Sequence, residues 1–174
     1  MQLAITVLGK KNDSVVDEII VATVTSHTNI IDLKSSIFND TSCAYLLIEG
    51  NWNQISKFES IVHAIEKKFN CSMYLHRVEV LKNDDLMLMT IEIIGLASCN
   101  LLGKVSLFFK NHQIIPYEVS GRVYPAPYLN TPLMSAKFVI TVGESSLFQL
   151  RDELMYLCDS LNADLFFEPF KMGT

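Results

Sequence analysis

The side chains in this 174-residue chain that could do chemistry are four histidines, four cysteines and a scatter of carboxylates. His27, His63, His76 and His112 are dispersed, with no HxxxH or HExxH pair to grip a metal from one helix face. Cys43, Cys71, Cys99 and Cys158 form no CxxC pair, so they read as reduced, partly buried thiols rather than a zinc set or disulfides. Asp17-Glu18 and Asp152-Glu153 fall on predicted helices, where carboxylates ordinarily face solvent. His76, beside Arg77 on a predicted strand, reads as a surface or interface residue. The pattern supplies no nucleophile, acid–base pair or metal set, and the expectation is a non-enzyme without a cofactor.

Two strand-to-helix turns are the better candidates. They are Gly9-Lys10-Lys11-Asn12-Asp13-Ser14 and Gly95-Leu96-Ala97-Ser98-Cys99-Asn100. A helix N-terminus offers unpaired backbone N–H groups that can accept a carboxylate. The plainer reading of the same residues is that Ser14 and Asn100 cap the helices they precede, with Ser14 and Asp17 resembling a capping box. Gly9 and Gly95 each stand alone, which is too few glycines for a phosphate-cradling loop.

The elements around these turns are set by a repeat. Ile55, Phe58, Val62, Ile65 and Phe69 are spaced 3-4-3-4, one face of an amphipathic helix, and Leu147, Leu150, Leu154, Leu157 and Leu161 repeat the spacing 92 residues later. Asn70 and Asn162 follow the stripes as helix C-caps. At an offset of 86, Leu3-Ala4-Ile5-Thr6-Val7-Leu8-Gly9 corresponds to Met89-Thr90-Ile91-Glu92-Ile93-Ile94-Gly95, each an apolar strand running into a turn. Val15, Val16 and Ile19 likewise match Leu101, Leu102 and Val105. The first copy predicts strands near 2–8, 29–38, 43–49 and 72–80 and helices near 14–27 and 53–69. The second predicts strands near 86–94, 114–123, 133–142 and 164–170 and helices near 100–111 and 146–161.

The expected fold class is therefore α+β: two tandem ferredoxin-like βαββαβ domains, 1–81 and 86–174, each an antiparallel four-stranded sheet with both helices on one face. The polar Lys82-Asn83-Asp84-Asp85 is the expected linker. The uncovered sheet faces would favour pairing of the copies or of two chains, a homodimer through the sheets. Trp52, the sole tryptophan, reads as a packing anchor. The segment from Gly121 to Pro132 reads either as an extended hairpin connection or as an arm presenting tyrosines to a partner.

Composition narrows the partners. Hydrophobic residues make up 49% and charged residues 19%, enough for packed cores. Fourteen basic residues against 19 acidic ones give a net charge of -5, and the basic residues are scattered. Phosphate neutralisation has no basic surplus to draw on, so direct nucleic-acid binding is not expected. No apolar run approaches the ~20 residues a membrane helix needs, and no signal-peptide pattern opens the chain; the expected location is cytoplasmic, with no membrane partner.

With Leu8-Gly9 before the first helix, Asn29-Ile30-Ile31-Asp32 opening the second strand and Gly50-Asn51-Trp52 leading into the second helix, the chain resembles tandem ACT-domain proteins. More narrowly, it resembles the glycine cleavage system transcriptional repressor family. That resemblance implies a regulator of glycine or amino-acid metabolism that acts through a DNA-binding transcription factor, with an amino acid as its candidate ligand. The alternative it leaves open is an amino-acid-sensing allosteric subunit of a metabolic enzyme. It implies ligand positions at Gly9, Asn12, Ser14, Val15, Asn29 and Ile30, and at Gly95, Ser98, Asn100 and Leu101 in the second copy. The usual Asp-Arg-Pro-Gly-type turn is absent: Ser14 and Asn100 bring Cβ atoms where a glycine would let a ligand approach, and Ile114 stands in place of Asn29. Any amino acid is therefore expected at the first turn, and weakly.

Overall fold

A computed structural model describes residues 1–11, 13–79, 87–126 and 131–170. The expected linker 82–85 and Asn12 lie outside them. The chain divides into two compact units, Met1–Lys82 and Asn83–Thr174.

The first unit runs β1 (Gln2–Lys10), α1 (Val15–Ser26), β2 (Asn29–Phe38), β3 (Thr41–Glu49), α2 (Trp52–Phe69) and β4 (Ser72–Val78). The second runs β5 (Met87–Leu96), a 3-10 turn (Ala97–Cys99), α3 (Leu101–Asn111), β6 (Glu118–Pro125), β7 (Pro132–Val142), α4 (Glu144–Ser160) and β8 (Asp164–Pro169). Each sheet is antiparallel, ordered β2-β3-β1-β4 and β6-β7-β5-β8. This is the duplicated ferredoxin-like fold. Alternation explains the core: Leu3, Ile5 and Val7 point from β1, and Ala44, Leu46 and Ile48 from β3, into one layer with Val15, Ile19, Ile55, Phe58, Val62 and Ile65. Ile91, Ile93, Phe138, Ile140, Leu101, Val105, Phe109, Leu150 and Leu154 build the equivalent layer in the second unit. Fully burying a side chain the size of Phe58 contributes about 3 kcal/mol, so the stripes rather than helix propensity hold the helices down.

The helix ends repeat as well. His27, Asn70, Gln113 and Asn162 all adopt left-handed backbone at the helix C-termini. Thr28 N–H donates to Thr23 O at 3.0 Å, and Ile114 N–H donates to Phe109 O at 2.9 Å, which absorbs the last carbonyls of α1 and α3. At the N-termini only α2 has a side-chain cap among the described residues. Asn51 Oδ1 accepts from Gln54 N–H at 3.0 Å while Gln54 Oε1 accepts from Asn51 N–H at 2.8 Å. The expected capping box at Ser14 does not form, nor does Asn100 cap α3 through its side chain. Both residues have left-handed backbone, φ 49 and 48, instead of the extended conformation that aims a cap oxygen at the first turn.

Two further expectations are corrected, and one left open is narrowed. Trp52 is 59% exposed at the start of α2 and anchors no packing. β6 begins at Glu118, not near 114, because Ile114 is used in closing α3 and Pro116 has no N–H for the ladder. The segment from Gly121 to Pro132 is open by sequence between a hairpin connection and an arm; β6 and β7 stay paired out to Pro125 and Pro132, in keeping with the hairpin, and 127–130 lie outside the described residues.

Candidate functional site

The two glycines of the candidate turns are explained first by packing. A Cβ on Gly9 would sit 3.3 Å from Cys71 Cβ, and one on Gly95 would sit 3.0 Å from Ala163 Cβ. Neither glycine has positive φ. Their common role is to let the end of the central strand approach the start of the outer strand. Val15 and Leu101 are buried in the cores, so only their backbones face the turns. Ser14, Ser98 and Asn100 are exposed, the last with its side chain lying over Gly103. Asn12 is outside the described residues.

Asn29 and Ile30 do not join the first turn. Gln2 pairs with Glu49, which pairs with Asn29, whereas Gly9 pairs with Ser42, which pairs with Ile37. Asn29 is thus level with Gln2, seven residues back along β1 from Gly9, or about 23 Å at the strand rise. The expectation that this strand start flanks the turn is overturned within the unit, because β2 runs parallel to β1 and reaches the turn only with its far end. What does reach it is the β2–β3 hairpin. Lys11 N–H donates to Asp40 O at 2.8 Å, and Lys10, Lys11, Asp13, Asn39 and Asp40 line an open hollow of about 680 Å³. Two ammonium groups and two carboxylates around one hollow complement a zwitterion.

The second unit has a different feature at the opposite end of its helices. His112, Ile114, Val142, Ser146, Leu150 and Glu153 are among the residues lining a cavity of about 250 Å³. His112 Nδ1 is 2.9 Å from Phe108 O and Nε2 is 2.5 Å from Glu153 Oε2. Both partners are acceptors, so both ring nitrogens must donate, which only the imidazolium can do. The Phe108 carbonyl, then Glu153, hold the His112 pKa above its ordinary value. Gln149 Nε2 donates to Glu153 Oε1 at 2.8 Å, and this bond, followed by His112, holds the Glu153 carboxyl below its ordinary value.

The first unit closes the equivalent place. Gln54 Nε2 donates to His27 O at 2.7 Å, Lys57 Nζ donates to Thr25 O at 2.7 Å, and Ser26 and Thr28 hydroxyls lie 2.9 Å apart. At the repeat offsets Ser146 replaces Gln54, His112 replaces Ser26, and Glu153 replaces Ile61. Sequence reasoning placed Glu153 on a solvated face and treated His112 as isolated. The usable signal was that two positions, one per helix, change character together between the copies. Among the described residues no group of three or more His, Cys, Asp and Glu is placed to hold a metal, and no helix is long and apolar enough to cross a membrane.

The fold and these two sites define the class: a pair of small α+β modules of the duplicated ferredoxin-like type. No family model and no curated protein matches the chain. Solved structures do. An unknown protein from Galdieria sulphuraria superposes with a TM-score of 0.75 at 13% identity, covering 98% of each chain. A candidate glycine cleavage system transcriptional repressor superposes with a TM-score of 0.68 at 20% identity, covering 97% of this chain and 98% of the other. The shared property is the fold, two tandem ferredoxin-like βαββαβ domains.

Proposed function

We propose that this chain is a non-enzymatic transcriptional regulator of glycine or amino-acid metabolism that acts by binding a DNA-binding partner protein. The observation that carries the reading is the likeness to a candidate glycine cleavage repressor over nearly the full length of both chains. The acidic balance agrees with it, since contact with DNA would fall to the partner. An amino acid would engage the first turn: its carboxylate against Lys10 or Lys11, and its ammonium against Asp13 or Asp40. All of these groups are solvent-screened and Ser14 Cβ limits approach, so the affinity is weak, with a Kd of about 0.1 mM or higher. The test is affinity capture of the tagged chain after cross-linking in its host, with and without added glycine. A DNA-binding protein recovered in a glycine-dependent amount is the expected result. Capture of a metabolic enzyme instead would make the chain an allosteric subunit and overturn the reading.

A further inference from the structure

The outward face of α4 differs from that of α2 in a way the cores do not require. Phe148, Asp152, Met155, Tyr156 and Asp159 fall within about 100° of one another around α4 at 3.6 residues per turn. Phe148 is 72% exposed and Tyr156 is 80% exposed. At the repeat offset α2 carries Ser56, Ser60, His63, Ala64 and Lys67, a polar and small surface of the kind an unpartnered helix face needs. The matched inner stripes show that the two helices meet the same packing demand; the outer faces have diverged for another reason. Beside this stripe Phe108 from α3 and Tyr156, Leu157 and Ser160 from α4 line a groove of about 500 Å³, with Asp152 and Glu153 on its edge.

Resting on the reading that the chain works through a protein partner, we propose that this face of the second module docks a basic amphipathic helix of that partner, with apolar side chains against Phe148, Met155 and Tyr156 and Lys or Arg side chains against Asp152 and Asp159. The groove flanks the stripe on its α3 side and shares Asp152 and Tyr156 with it, and along α4 Phe148 to Tyr156 spans about 12 Å, the reach of two helical turns on a partner laid over the stripe. The carboxylates choose the sign of the partner. They also argue against a second copy of this chain: a two-fold contact of the stripe with itself would bring Asp152 and Asp159 against their own kind. Tyrosine and phenylalanine are suited to anchoring such a contact because they bury a large area with two rotatable bonds.

The experiment uses the full chain and a labelled 18-residue peptide of leucine and lysine with the leucines on one helical face, followed by fluorescence anisotropy. The expected Kd is on the order of 50 µM or tighter. The triple variant Phe148→Ser, Asp152→Ser and Tyr156→Ala is expected to weaken binding at least tenfold. All three sites are exposed, so an unchanged thermal midpoint checks that the variant folds. Val24→Ser, on exposed α1 surface, and a matched leucine–glutamate peptide are the controls: the first retains binding and the second does not bind. The proposal is overturned by no binding of the lysine peptide, by equal binding to the triple variant, or by a sedimenting dimer that the triple variant abolishes. None of those results touches the regulator reading, which stands or falls on the identity of the cross-linked partner.

Discussion

His112 Nε2 and Glu153 Oε2 meet at 2.5 Å, joining the end of α3 to the third turn of α4 in the lining of the second unit's cavity. The His112 pKa is raised, so its contribution to stability is fully present below the unfolded value of about 6.5 and is lost as pH rises through the folded value. Glu153 is depressed, so its contribution is present above the unfolded value of about 4.5 and is lost as pH falls through the folded one. The pair therefore supports the second unit best in mildly acidic solution. Thermal midpoints measured between about pH 5.5 and 8.5 should fall with rising pH in wild type. The His112→Gln variant should show a flatter profile, and an equal slope in both would show that the histidine is not responsible.

Helix capping separates the two helix starts of the first unit. Asn51→Ala removes the bond from Gln54 N–H to Asn51 Oδ1, leaves the one from Asn51 N–H to Gln54 Oε1, and should cost about 1 kcal/mol in urea unfolding. Ser14→Ala should cost almost nothing, because the Ser14 side chain caps nothing. Ser14→Gly should stabilise by about 0.5–1 kcal/mol, since φ 49 is glycine territory. A loss on Ser14→Ala as large as that on Asn51→Ala would mean that the cap geometry is different.

Much of the fold was legible because two independent periodicities agreed. The stripes at Ile55–Phe69 and Leu147–Leu161, joined to strands ending at Gly9 and Gly95, left few alternatives to the duplicated βαββαβ order, and β2 falls on the expected 29–38. Element starts that depend on a single dihedral were not legible. Ser14 is a good cap in composition and a poor one in conformation, and nothing in its neighbours announces the left-handed backbone. The adjacency of Asn29 and Gly9 within the unit was misread for a different reason: β2 starts from the other end of α1, which strand direction alone decides. The His112–Glu153 pair spans two helices, and no local pattern could have shown it.

The corrected site makes a sharp contrast. Calorimetry with glycine or serine should give at most weak binding, of order 0.1 mM or above. That signal should disappear in Asp40→Asn and survive in Asn29→Ala, because Asp40 lines the hollow and Asn29 lies at the far end of the sheet. Loss in Asn29→Ala alone would place the ligand elsewhere.

The cysteines should react in a set order. Burial, with help from Asp159, pushes the Cys158 thiol up to about 11, and burial raises Cys71 as well. Cys158 also lies in the core, out of reach of reagent. With a thiol-exchange reagent near pH 8 the half-buried Cys43 and Cys99 should label first. Cys158 should label only at the rate of unfolding, and its prompt reaction in the folded chain would contradict the packing of α4.

The most direct measurement of the central claim is transcript abundance of the glycine cleavage genes in the host, with the chain deleted and restored, with and without added glycine. The account predicts that deletion raises those transcripts several-fold and removes their response to glycine, and that purified chain alone shows no submicromolar, sequence-dependent DNA binding at physiological salt. Unchanged transcripts and an intact glycine response in the deletion strain would contradict it.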